Sequence, residues 1–338
     1  MKQILLVHGW AADKTMWEPA IKELKRLDAH AELKIRALDL PGFGERQDEA
    51  FAPQRLVQEL CVFAREMDTL LVGWSLGGML ALDAFLALNL ALKKHNSQST
   101  VSDENRLAVR LICSADGMLA GKPFQSGIAS ETLEGFIARY KAEPFESLSY
   151  FLALQCAQAK ATSIVEEGEG SAMQNWQASL RLAAARRRQS ATFPTAEAFS
   201  KSSAQSESLC ENWLSALNYL KTHQCISVSN RETTIDNKAF AEAQSAIDGI
   251  VDSTRKTPVC EKQINGGGDS NQDEGLHSQD VGYVFAEHDR LFPASIASEL
   301  LQQRRLRAEQ VTVVRGATHL LPLTHARALA EQLYAHCF

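Results

Sequence analysis

Three residues of this chain have the types and neighbours that acyl-transfer chemistry requires. Ser75 stands in Gly73-Trp74-Ser75-Leu76-Gly77-Gly78, a G-x-S-x-G run directly after an apolar stretch and directly before a helical one. A serine in that context takes a sharp strand-to-helix turn, and the flanking glycines sit where a Cβ would meet other backbone. Its Oγ is lifted out over a helix N-terminus, which favours developing negative charge. The motif alone is weak, because glycine-rich strand–helix turns also bind phosphates or merely pack; the strand–turn–helix context makes it specific. Serine is a poor nucleophile at neutral pH and needs a base oriented by an acid. Asp289 follows the apolar run Val281–Ala286, and His319 follows Val311–Val314. Ser75, Asp289 and His319 each fall just past a strand end, so they would converge above one edge of a sheet, in the chain order nucleophile, acid, base.

Other groups compete for these roles. Asp116, in Ser114-Ala115-Asp116-Gly117 after the fourth apolar run, is a rival acid. His288 adjoins Asp289 and reads as a loop residue. His325 follows Pro322 and reads as capping or packing the last helix. Asp39 and Asp83 read as a turn residue and a helix-surface residue. The tetrahedral intermediate of acyl transfer carries an oxyanion that needs two backbone N–H donors. Leu76, just after the serine, supplies one; Trp10, in the loop His8-Gly9-Trp10 after the first strand, supplies the other. His8-Gly9 also reads simply as a tight turn.

The elements that must position these groups alternate. Strands are expected at Gln3–His8, Leu33–Leu38, Thr69–Trp74, Val109–Ser114, Val281–Ala286 and Gln310–Arg315. Helical spacing is expected at Thr15–Leu27, Pro53–Met67, Gly77–Leu90, Pro293–Arg307 and Pro322–Cys337. Strands alternating with helices predict an α/β fold, with a mostly parallel sheet covered on both faces. Between the fourth and fifth strands the pattern is helical only: Glu134–Tyr140, Pro144–Ala157, Asn175–Arg188 and Leu209–Lys221. That layout predicts a core at 1–117 and 281–338, a helical cap or lid at 118–226 walling a cleft, and a polar, flexible insertion at 227–280 with a short helix at Lys238–Val251. Asn89–Asn105 and Ser163–Ala172 read as further surface insertions.

Composition narrows the partners. Lys+Arg 35 against Asp+Glu 41 leaves a formal charge of −6, which makes no general case for nucleic acid. Seven scattered cysteines without a CxxC pair suit a reducing compartment and offer no zinc-type spacing. No apolar run has the length of a signal peptide core or a membrane span. The expectation is a cytoplasmic monomer without membrane attachment.

His8 to Trp10, Asp39 to Gly44, Gly73 to Gly78, Asp289 to Pro293 and His319 to His325 together resemble the α/β-hydrolase family. Within it the chain is most similar to the pimeloyl-acyl carrier protein methyl ester carboxylesterases of biotin synthesis. Trp74 before the serine, Phe151-Leu152-Ala153-Leu154-Gln155 and Leu217–Thr222 carry that closer likeness. The resemblance implies a serine carboxylesterase with Ser75, Asp289 and His319 as triad and no metal or organic cofactor. It implies substrate contacts at Trp10, Leu76, His319 and Phe151, Leu152, Ala153, Leu154 and Gln155, and an acyl carrier protein as partner. The same triad serves a general short-chain carboxylesterase or a thioesterase, since acyl pocket and cap set the substrate. One departure stands out: Glu146 and Tyr150 occupy positions where the family carries arginines for its carrier. Arg181, Arg186, Arg187 and Arg188 form a basic cluster that is either a carrier-binding patch or a solvated helix face.

Overall fold

The computed structural model describes residues 2–64, 67–96, 106–121, 125–161, 211–223, 280–302 and 307–337. Six strands form one sheet: β1 (Lys2–Val7), β2 (Leu33–Leu38), β3 (Asp68–Trp74), β4 (Leu107–Ile112), β5 (Val281–Ala286) and β6 (Val311–Val314). Their order is β2-β1-β3-β4-β5-β6 and every pairing is parallel. Near-continuous apolar strands are what a sheet buried on both faces requires. In β1 the alternation splits the core in two. Leu5 and Val7 join the apolar cluster on one face, Ile4 and Leu6 that on the other, and all four are fully buried.

Helices cover both faces. They are α1 (Glu18–Leu27), entered through a 3₁₀ turn at Lys14–Trp17, then α2 (Pro53–Ala64), α3 (Leu76–Asn96), α4 (Ser130–Ala142) and α5 (Pro144–Ala161). A sixth, α6, spans 211–222. Then come α7 (Ser295–Gln302), α8 (Leu321–Thr324) and α9 (Ala326–Ala335). α4, α5 and α6 lie between β4 and β5 in the chain and add no strand among the described residues. Among those residues no helix is long and apolar enough to cross a membrane.

The structure corrects several expectations. α3 continues through Asn96, into the stretch read as a surface insertion from Asn89, because Ala91, Leu92, Lys93 and Lys94 are good helix formers. The last helix is divided at His325, whose backbone leaves the helical region (φ −137°). His325 takes the N-cap position of α9, but its side chain makes no cap bond. Asp83, expected on a helix surface, is part-exposed there but engaged. It accepts the Tyr219 hydroxyl at 2.6 Å and lies 3.5 Å from His223 Nε2, in the joint between α3 and α6. The Asn175–Arg188 and Lys238–Val251 helices, the Ser163–Ala172 insertion, all of 227–280 but Asp280, and Arg181, Arg186, Arg187 and Arg188 lie outside the described residues.

Candidate active site

Strand order creates the site. From β1 the chain crosses to β2 on one side, then returns to place β3 on the other, so the loops leaving β1 and β3 diverge over one crevice. Gly9-Trp10 follows β1 and Ser75 follows β3. The register pairs Val7 with Gly73, which brings the two strand ends level. Ser75 has φ +55°, left-handed backbone that costs a non-glycine residue about 1 kcal/mol or more. Its N–H donates to the Ile112 carbonyl at 3.0 Å, and its own carbonyl accepts the Ser114 hydroxyl at 2.7 Å. The turn is therefore pinned to the end of β4 from both sides. Gly77 lets α3 start there at all: a Cβ on it would run into the carbonyls of Val7 and His8.

Asp289 and His319 come together. The Asp289 Oδ2 accepts His319 Nδ1 at 2.8 Å, and both side chains are buried. The other oxygen, Oδ1, accepts the N–H groups of Leu291 (2.8 Å) and Phe292 (3.0 Å), so the loop after β5 itself holds the carboxylate. The imidazole contacts two rings, Trp74 tilted at 5.0 Å and Phe292 stacked at 6.0 Å. The Trp74 indole N–H donates to the His319 carbonyl at 2.7 Å. The residue just before Ser75 thus holds both the ring and the backbone of His319. Asp116, the rival acid, is elsewhere engaged: its Oδ1 accepts the Tyr283 hydroxyl at 2.6 Å. His288 is exposed, 3.7 Å from Glu287.

The loop after β1 is equally determined. The Leu40 N–H donates to His8 Nε2 at 3.0 Å, so that nitrogen carries the lone pair, and Nδ1–H donates to the Gly9 carbonyl at 2.8 Å. Complete burial pushes the His8 imidazolium out of favour and its pKa below the usual histidine value. In a trans peptide C=O and N–H point opposite ways. With the Gly9 carbonyl turned to His8, the Trp10 N–H is turned away from it. A Cβ on Gly9 would stand 2.9 Å from that of Ser75, so this backbone passes beside the serine. Leu76 opens α3, and its N–H is a first-turn donor without a carbonyl partner inside the helix.

Trp10 is where the inserted helices meet the sheet. Its ring packs edge-on against Phe136 of α4 (5.6 Å), Tyr140 of α4 (5.7 Å), Phe151 of α5 (5.2 Å) and Trp213 of α6 (5.8 Å). Phe151 and Leu152 are half-buried against the core, and Ala153 and Leu154 are exposed on the outer side of α5. Gln155 is buried, with no partner for its Oε1 among the described residues.

Sequence reasoning overlooked three contributors. Phe292 stacks on His319, and its place in Asp289-Arg290-Leu291-Phe292-Pro293 was the available signal. Trp213 had no signal beyond helical spacing. Cys113, at φ +46°, has its Sγ among the Asp289 and His319 ligand atoms, all within 4.8 Å of one another. Burial, and then the Asp289 charge, push that thiol well above the usual cysteine range and keep it neutral. The two side chains that share this cluster with Cys113 are already hydrogen-bonded to each other.

A family model described as the alpha/beta hydrolase family matches residues 4–332. Among curated proteins, the chain is 30% identical over 152 residues to the biotin biosynthesis bifunctional protein BioHC of Saccharophagus degradans, covering 45% of this chain and 24% of that protein. It is 28% identical over 161 residues to the pimeloyl-[acyl-carrier protein] methyl ester esterase of Neisseria meningitidis, covering 46% and 53% respectively. The chain thus spans about half the length, or less, of these curated relatives. An esterase from Exiguobacterium antarcticum shares the fold, with a TM-score of 0.55 at 11% identity over 100% of this chain and 92% of that one. The family match runs from the first strand into the last helix, across the one sheet whose ends carry Ser75, Asp289 and His319, and the chain belongs to the alpha/beta hydrolase family.

Proposed function

We propose that the protein is a serine carboxylesterase that hydrolyses the methyl ester of a pimeloyl group borne by an acyl carrier protein, releasing methanol. The observation that carries the hydrolase reading is the buried 2.8 Å bond between Asp289 and His319, held against Trp74, the residue before a serine at positive φ. The substrate reading is supported by the activity for which the curated relatives are named and by the resemblance that the Phe151–Gln155 segment carries.

In this reaction His319 Nε2 takes the proton of Ser75 as Oγ bonds to the ester carbonyl carbon. Asp289 keeps Nδ1 protonated and stabilises the imidazolium. The N–H groups of Trp10 and Leu76 receive the oxyanion. The tetrahedral intermediate collapses, the methoxy group leaves with the proton from His319, and an acyl-serine remains. Water then gives a proton to His319 and attacks the acyl carbon, and the acid departs as Oγ regains its proton. Phe151 packs edge-on against Trp10, and one turn on, the buried Gln155 Oε1 has no partner among the described residues.

The test is complementation of a biotin auxotroph lacking this esterase, with wild type and Ser75→Ala in parallel. Growth with wild type alone supports both substrate and nucleophile. In purified protein, Ser75→Ala should lower turnover on the order of 10⁴-fold or more. Near-normal hydrolysis by that variant would refute the nucleophile. Glu146, exposed where the resemblance implies an arginine for the carrier, favours a second reading, a short-chain carboxylesterase or thioesterase acting on an ester without an acidic carrier. Brisk p-nitrophenyl ester hydrolysis with no complementation would select it.

A further inference from the structure

The loop carrying Trp10 is held under strain. Ala11, the next residue, is fully buried at φ +59°, and such backbone persists only where its surroundings over-determine it. On the core side His8 holds the Gly9 carbonyl. On the other side the hold comes from the inserted helices: the Trp10 indole N–H donates to the Trp213 carbonyl at 3.0 Å. Trp213 is itself fastened to the loop after β2. Its indole N–H donates to the Gly42 carbonyl at 3.1 Å, and its ring stacks on Phe43 at 5.3 Å with planes 10° apart. The preceding Asn212 accepts the Phe51 N–H at 3.0 Å and donates to the Glu49 carbonyl at 2.9 Å. The first turn of α6 therefore spans the loops that follow β1 and β2.

From this geometry we infer that Trp213 is a positioning residue of the oxyanion-binding loop: anchored on Gly42 and Phe43, it keeps its own carbonyl where the Trp10 indole must donate, and so fixes the Trp10 backbone N–H beside Ser75. The inference rests on the reading above, in which that N–H receives the oxyanion. Trp213 reaches the reaction only through Trp10. Full negative charge on the carbonyl oxygen exists only at the tetrahedral stage, so a loosened donor weakens the transition state more than the ground state. The effect belongs in kcat rather than KM.

The experiment uses the full chain with p-nitrophenyl acetate, whose two-carbon acyl group limits contact with the inserted helices. Removing an oxyanion donor outright costs roughly 10²–10³-fold in kcat, so a misplaced one should cost about tenfold in Trp213→Leu, with KM little changed. Affinity for a trifluoromethyl ketone, which forms the tetrahedral adduct, should fall by the same factor as kcat/KM. Trp213→Phe keeps the ring on Phe43 but loses the bond to Gly42, and should fall between wild type and Trp213→Leu. If Trp213→Leu does not fold, Trp213→Phe and Asn212→Ala carry the test. Unchanged kcat in folded variants, with only KM or thermal stability affected, overturns the inference and makes Trp213 a packing residue. A wild type that hydrolyses no ester and leaves Ser75 unlabelled by a fluorophosphonate overturns the proposed function and this inference with it. Fluorophosphonate labelling with normal Trp213 variants overturns this inference alone.

Discussion

Asp289 has each oxygen assigned: one to the backbone of its own loop, one to His319. This division decides what an amide would do in its place. In Asp289→Asn the oxygen can still face the Leu291 and Phe292 N–H groups, which leaves the NH₂ facing Nδ1. An NH₂ cannot accept a proton from Nδ1, so the imidazole shifts to the tautomer with its hydrogen on Nε2 and can no longer receive the Ser75 proton. Turnover of a simple ester should fall on the order of 10⁴-fold while thermal stability changes little. A variant within tenfold of wild type would mean that His319 is not oriented through this contact. Their partners likewise separate Asp289 from Asp116. Both follow strands, yet Asp116 is taken by the Tyr283 hydroxyl, a partner 167 positions along the chain that no local pattern discloses.

At the scale of elements, the tight junction is the one between β1, β3 and α3. α3 can begin beneath Ser75 only because Gly73 and Gly77 let the turn pack against β1 and against itself. Gly77→Ala places a methyl group into the carbonyls of Val7 and His8, which are backbone and cannot rotate away. The helix must shift, and forcing atoms into such a packed site costs about 1–3 kcal/mol. The denaturation midpoint should drop accordingly, and kcat should fall with it because Ser75 and Leu76 ride on the displaced turn. A Gly77→Ala protein with wild-type stability and rate would show that this approach is not required. The alternation of strand and helix was legible because each strand is a short apolar run with its own turn signals. The extension of α3 to Asn96 and the break at His325 were not, since helix boundaries depend on capping and tertiary contact more than on periodicity.

At the scale of the whole molecule, the neutral His8 is wholly buried, edge-on to Phe43 of one apolar cluster and bonded to the Leu40 N–H of the loop after β2. This makes stability depend on pH with a defined sign. The His8 pKa is depressed in the folded state and ordinary, near 6.5, in the unfolded chain. The unfolded chain therefore binds the extra proton first as pH falls. The contribution is complete above pH 6.5 and is lost below it, toward the folded value, at up to about 1.4 kcal/mol per pH unit for one proton. Urea midpoints measured at pH 7.5 and at pH 5.5 should show wild type losing more stability than His8→Asn, whose amide can donate to the Gly9 carbonyl but does not titrate. Equal losses would place the pH dependence elsewhere.

The sequence by itself determined the elements and the points where chemistry leaves them. A strand, a sharp turn and a helix around Ser75, and a polar residue just past each of two later strands, are local patterns encoded within a few residues. Only the tertiary structure decided which of those groups meet. The order β2-β1-β3 sets the Gly9-Trp10 loop beside Ser75, packing joins residues 30 apart at Asp289 and His319, and the Trp10–Trp213 bond spans 203 positions. The physical reason is that hydrophobic periodicity reports which face of an element is buried but not which element covers it. Pairings such as these are selected by sheet order and by the requirement that every buried donor find an acceptor.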